Sequence, residues 1–133
     1  MTPKAERGTD FWPVEGGRPD RGREFEIEGA ERFIEAIVAT AFTVPAAALR
    51  LDSRGPAPVA FARQVAMYLA HTRLGLPYLR AGAFFGRDRT TAAHACRRVE
   101  DSREDPRIDR ILDLLERAID LWPGLTELGR AAQ

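Results

Sequence analysis

The sequence predicts an all-α fold, a small helical domain with a helix-turn-helix. Three observations carry that prediction. Apolar residues recur at helical spacing in two well-separated stretches, Phe33 to Ala41 and Ile108 to Ile119. Proline, glycine or a short polar residue stands where each helix would begin or stop. No segment reads as a convincing strand, and no internal repeat is present.

The elements follow in order. Residues 1–24 are rich in Pro, Gly and charge, with Gly16-Gly17-Arg18-Pro19 in the middle. They hold too little apolar surface to offset chain entropy, so a disordered tail is expected there. Phe11 and Trp12 stand out within it. Two adjacent aromatics in a polar tail are either a short docking motif for a protein partner or residues that fold back onto the domain.

The domain itself is expected over residues 25–122, with a tail at 123–133. Phe33, Ile34, Ile37, Val38 and Ala41 give an amphipathic helix over about 29–42. Val44-Pro45 breaks it, and Pro45 can start a short helix holding Leu49. Asp52-Ser53-Arg54-Gly55-Pro56 is a loop. The next helix runs from about 57 to 74 with Phe61, Val65, Ala66 and Leu69 inward, and Gly75 sits where a C-terminal cap belongs.

A short helix over about 77–84 buries Leu79 and Phe84 or Phe85. After a turn at Gly86, a helix over about 89–102 turns Ala93, Cys96 and Val99 inward. These two helices, residues 77–102, make the helix-turn-helix. Asp105-Pro106 is a cap followed by proline at the first helical position. Ile108, Ile111, Leu112, Leu115 and Ile119 then form the stripe of the last helix, which Trp122-Pro123-Gly124 stops.

Twenty basic and twenty acidic residues in a chain of 133 give a formal charge of zero. The total conceals an asymmetry. Residues 49–98 hold nine arginines against Asp52 and Asp88, a net of +7, and residues 99–133 carry a net of −4. A cationic middle suits phosphates. No apolar run approaches a membrane span, and the N-terminus lacks the apolar core of a signal peptide, so a cytoplasmic, nucleoid-associated protein is expected.

Enzyme chemistry finds no support. His94 and Cys96 are two apart on one helix and do not face each other. Two histidines and one inward cysteine make no zinc site. No metal, cofactor or small-molecule substrate is expected.

The run Gly86-Arg87-Asp88-Arg89-Thr90-Thr91-Ala92-Ala93-His94-Ala95-Cys96-Arg97-Arg98 is the most informative stretch. Asp88 can cap the helix by accepting the unpaired N–H groups of its first turn. Short polar side chains then crowd the helix tip, with cations behind. Such a helix suits the DNA major groove, its first residues on base edges and its flanks on phosphates.

This run resembles the signature of the C-terminal DNA-binding domain of the bacterial chromosomal replication initiator, DnaA. That signature is roughly Gly-Gly-Arg-Asp-His-Thr-Thr-x-x-His-Ala-Cys-Arg-Lys. A second segment, Ala62-Arg63-Gln64-Val65-Ala66-Met67-Tyr68-Leu69-Ala70, is similar to the family's Pro-Arg-Gln-x-Ala-Met-x-Leu-Ala. The resemblance covers roughly residues 29–121 and implies a Trp-repressor-like helix-turn-helix. The initiator's phosphate-binding loop is not present, so a stand-alone relative of the last domain is expected.

The resemblance implies base-reading roles for Asp88, Arg89, Thr90 and Thr91. Arg89 replaces the family's histidine, and arginine reads guanine bidentately. The family's Leu-Pro pair on thymine methyls falls at Tyr78 and Leu79. Tyr78 then lies on a sugar or methyl, or packs in the core.

Phosphate contacts are implied for Arg63 and Gln64, for His71 in place of a lysine, and for His94, Arg97 and Arg98. His94 is alternatively a surface histidine bonded to a neighbouring carbonyl. In the family, a basic loop inserts an arginine into the minor groove. Here the matching position is Gly55, and Arg54 can substitute by a shift of one residue.

The function expected is sequence-specific binding of double-stranded DNA, regulating replication initiation or transcription. The alternative is a protein-interaction regulator of the replication initiator or its control factors, with weakened DNA binding.

Overall fold

Ten of the twelve positions from Val59 to Ala70 in the second helix are buried, with only Phe61 and Gln64 excepted, and the other helices are arranged around it. A helix apolar on nearly every side must be central. The structure, a computed structural model, describes residues 21–122. These form α1 (Arg21–Phe42), a 3₁₀ turn (Ala46–Arg50), α2 (Ala57–Arg73), α3 (Tyr78–Ala83), α4 (Arg89–Ser102) and α5 (Pro106–Asp120), with no strand among the described residues.

Helix α1 begins eight residues earlier than its apolar pattern indicates, so residues 21–24 belong to a helix and not to the expected tail. Two tertiary anchors hold this polar start. Ile27 is buried, and Glu24 pairs with Arg80 of α3 at 2.9 Å. Composition cannot see such partners. The helix stops where Val44-Pro45 predicts, with Thr43 in the left-handed region (φ 54°) and the Val44 N–H donating to the Ala39 carbonyl at 3.0 Å. The 3₁₀ turn after Pro45 buries Leu49, as its position suggests.

Gly75 takes a φ of 71° after α2, the conformation a helix stop requires. Leu76 and Phe85 are then buried, but Leu79 is 59% exposed, against expectation. Helix α3 has six residues, and Ala81 and Gly82 face its neighbours. Two positions back from Ala81 is about 200° around the helix, so Leu79 points outward. The inner face of α4 is Ala92, Ala95, Cys96 and Val99; Ala93, expected there, is half-buried.

Asp105 caps α5 through the Arg107 N–H at 2.9 Å, with Pro106 in the first turn. Leu112, Leu115 and Ile119 enter the core, and Ile108 and Ile111 are half-buried against it. Trp122 does more than end the helix. Its ring stacks on Phe33 at 5.3 Å and lies over Gly29, returning the chain to α1.

Candidate nucleic-acid interface

The tip of α4 is built by a close contact between helices. A Cβ on Gly82 would stand 2.7 Å from the Arg87 carbonyl oxygen and 3.0 Å from that of Asp88. Only glycine lets α3 approach the backbone that opens α4. Gly86, with φ 72°, ends α3: the Arg87 N–H donates to the Gly82 carbonyl at 3.0 Å and the Gly86 N–H to the Ala83 carbonyl at 3.0 Å. Gly82 escaped the sequence reading. Its signal was a glycine inside a helix, which costs stability unless contact requires it.

Asp88 then caps α4. Its Oδ1 accepts the Thr91 N–H at 2.8 Å. That bond, with one from the Thr91 side chain, holds the carboxyl below its ordinary range, so it stays ionised. Thr90, Thr91, His94, Arg97 and Arg98 are all exposed on the outer side of α4, and Arg89 is half-buried. The face opposite the core therefore runs from short polar groups at the tip to cations two turns on.

Beside it lies a cleft of about 410 Å³ between α2, α4 and the loop after the 3₁₀ turn. Arg54, Arg63, Arg87 and Arg98 line it with Gln64, and Asp52 is the carboxylate among them. The Arg98 Nε donates to Gln64 Oε1 at 3.1 Å. Burial, with the charge of Arg87 nearby, lowers the pKa of Arg63. Like charges crowded against one another favour an anion in the space they enclose.

Arg63 is placed differently from the phosphate role implied for it. It is 4% exposed, and its guanidinium is occupied by carbonyls: Nε to Leu49 at 2.8 Å, Nη2 to Ala48 at 3.1 Å and Nη1 to Arg54 at 3.3 Å. It shapes the loop from below. His71 is also engaged internally. Its Nδ1 donates to the Leu76 carbonyl at 2.7 Å and its ring stacks on Tyr78 at 4.1 Å. Tyr78 is half-buried on that histidine, between its two expected places, with exposed Leu79 beside it.

Arg54 sits on the exposed loop next to Gly55, whose φ is 74°. Phe11 and Trp12 lie outside the described residues, as does the tail at 123–133. Arg87 is the second residue the sequence reading passed over. It reaches back to the loop and holds Leu51 and Phe85 carbonyls at 2.8 Å each. Cys96 faces the core, and burial pushes its thiol up to about 12, well away from thiolate chemistry.

The acidic C-terminal helix leaves the tip of α4 uncovered. Its carboxylates gather at the other end of α4, where Arg103 pairs with Asp109 at 2.9 Å, Asp113 at 2.8 Å and Glu116 at 3.3 Å. Tyr68 joins the same cluster, its hydroxyl donating to Glu100 at 2.8 Å. No described helix is long and apolar enough to cross a membrane.

Residues 32–99 match the family model for the bacterial dnaA protein helix-turn-helix. Among curated relatives, the chromosomal replication initiator protein DnaA of Bordetella pertussis is 41% identical over 71 residues, which is 51% of this chain and 15% of that protein. That of Paraburkholderia phymatum is 34% identical over 102 residues, 74% of this chain and 18% of that protein. The chain thus spans less than a fifth of the length of the relatives it matches. With this match running through α2, the cleft and the whole outward face of α4, the chain belongs to the bacterial dnaA protein helix-turn-helix family.

Proposed function

We propose that this protein binds double-stranded DNA sequence-specifically, with α4 in the major groove, and regulates replication initiation or transcription through that binding. The observation that carries the reading is the outward face of α4. Asp88, Thr90 and Thr91 stand at the tip, and His94, Arg97 and Arg98 follow along the same exposed side next to the cationic cleft. Short side chains reach base edges, and the cations behind them fix the helix on phosphates.

Arg89, in place of the family's histidine, adds a guanine-reading group at the tip. Leu79 and the edge of Tyr78 supply apolar surface at the neighbouring position on α3. His71 acts through Tyr78 by stacking on it, and Gln64 acts through Arg98. Arg54 supplies the loop's cation toward the minor groove.

The test is binding at low salt to a duplex carrying the family's box, against a scrambled duplex of the same composition. Preference for the box is expected, with Thr90→Ala or Arg89→Ala losing about 1–3 kcal/mol of the discrimination. Equal binding of both duplexes, unaffected by either substitution, would remove the reading.

A further inference from the structure

The loop at residues 51–56 is exposed along its whole length, yet its carbonyls are gripped from two sides. Buried Arg63 holds the Arg54 carbonyl from below, together with those of Ala48 and Leu49 in the preceding 3₁₀ turn. Arg87 holds the first three carbonyls of the loop from the front. Its Nη1 donates to Leu51 at 2.8 Å, and its Nη2 to Ser53 at 3.2 Å and Asp52 at 3.5 Å. The same Nη1 also donates to Phe85 at 2.8 Å, beyond the end of α3. Arg87 itself immediately precedes Asp88, the cap of α4. One side chain therefore joins the loop, the turn of the helix-turn-helix and the tip of α4.

We propose that Arg87 is a positioning residue: it locks loop 51–54 to the start of α4, so that Arg54 and the Asp88–Thr91 tip address one duplex as a single pre-ordered unit. This rests on the DNA-binding reading above. The chemistry is that of a planar fork with several fixed donors, which an ammonium cannot reproduce. A loop already ordered loses less conformational entropy on binding. The effect matters here because Arg54 is the exposed cation that directly follows the three carbonyls held by Arg87, so its placement decides what the loop contributes. These four bonds from Arg87 go to neutral carbonyls, which orient the guanidinium without neutralising it.

The experiment uses the full chain as wild type, Arg87→Lys, Arg54→Ala and the double variant, with Arg87→Gln as a second way to break the fork. Helix content by circular dichroism is expected to stay at the wild-type level, because Arg87 is half-exposed and outside the core. In the free protein, tryptic cleavage after Arg54 is expected to accelerate about tenfold in both Arg87 variants, as the loop opens locally.

On the box duplex, Arg54→Ala is expected to weaken binding about tenfold in the wild-type background and less than about twofold when Arg87 is lysine. Lysine keeps the charge, so full affinity in Arg87→Lys would reduce Arg87 to a phosphate contact and overturn the proposal. Equal losses from Arg54→Ala in both backgrounds, or an unchanged cleavage rate, would overturn it too. If wild type shows no preference for the box, the DNA-binding reading fails by itself, and the cleavage rates still decide the clamp.

Discussion

The two sides of this molecule use arginine in opposite ways. On the side of α1, α3 and α5, arginines meet carboxylates. Arg103 gathers Asp109, Asp113 and Glu116, Arg73 reaches Glu116 and Asp120, Arg80 bridges Glu24 and Glu31, and Arg50 holds Glu35. On the side of the cleft, Arg63 and Arg87 are fixed by backbone carbonyls and Arg98 by the amide of Gln64. Carbonyls and amides orient a guanidinium without neutralising it. The cleft side thereby keeps the charge of these arginines, whereas Arg50, Arg73, Arg80 and Arg103 meet carboxylates elsewhere. Position along the sequence gives the sign of each region, but the kind of partner decides whether the charge remains available to phosphate.

The largest expected effect tests the paired side. Glu31 is 1% exposed, with Arg80 at 3.6 Å from one oxygen and no partner on the other. Burial pushes its carboxyl from 4.5 up to about 7, although the charge of Arg80 and its hydrogen bond pull the other way. Between those two values the native state holds a proton that the unfolded chain has released. Stability therefore falls as pH rises from 4.5 to about 7 and levels off above. The contribution is about 3 kcal/mol across that window. Glu31→Gln should flatten this fall in urea unfolding curves at pH 4.5, 6 and 8. Parallel curves for the variant and wild type would show that Arg80 compensates the buried charge fully, and that pairing on this side is free of desolvation cost.

Gly82→Ala tests what both sides share, the junction of α3 with α4. The added methyl meets backbone oxygens, which cannot rotate away, and the Ala92 methyl at 3.2 Å. A loss of about 2 kcal/mol is expected by urea unfolding, from overpacking that pushes the two helices apart. Box binding should weaken beyond what instability explains, because Asp88 and the first turn of α4 move with the displaced backbone. A variant as stable as wild type would mean that the junction yields, and that the tip is not rigidly set.

That junction also marks where the sequence was legible and where it was not. Capping residues announce themselves locally: Asp88 before Thr91, and Asp105 before Pro106, read correctly because the bonds they make lie within three residues. Long amphipathic stripes read correctly for the same reason. Helix α3 did not, because six residues carry too little periodicity to fix a phase. Its facing is set by Gly82 against α4, and Leu79 is exposed as a result. The early start of α1 depends on Arg80, fifty-six positions away from Glu24.

At the candidate site, the resemblance located the outward residues of α4 but assigned Arg63 by motif position. A motif names a residue without saying which way it faces. Arg63 points into the loop's carbonyls, a fact visible only once the chain is folded. Arg87 belongs to the signature run, but its role is not legible there, since its partners lie thirty-four to thirty-six residues upstream.

The smallest expected effect is the sharpest test of the comparison itself. Arg97 lies exposed on the outer face of α4, and Arg110 lies exposed on α5. Both are surface arginines, and their removal changes net charge equally. If the whole protein's charge governed binding, Arg97→Ala and Arg110→Ala would weaken box affinity alike. If the face of α4 holds the phosphates, Arg97→Ala alone should lower the slope of log K against log salt by about 0.9, the counterions of one contact, with the base preference intact. Arg110→Ala should leave slope and preference at their wild-type values. Titrations between 50 and 200 mM salt, on the order of the range where such slopes are linear, separate the two. Equal slopes for the two variants would mean that the cationic face is no more than a local surplus of charge, and that its orientation by carbonyls and amides has no consequence for DNA.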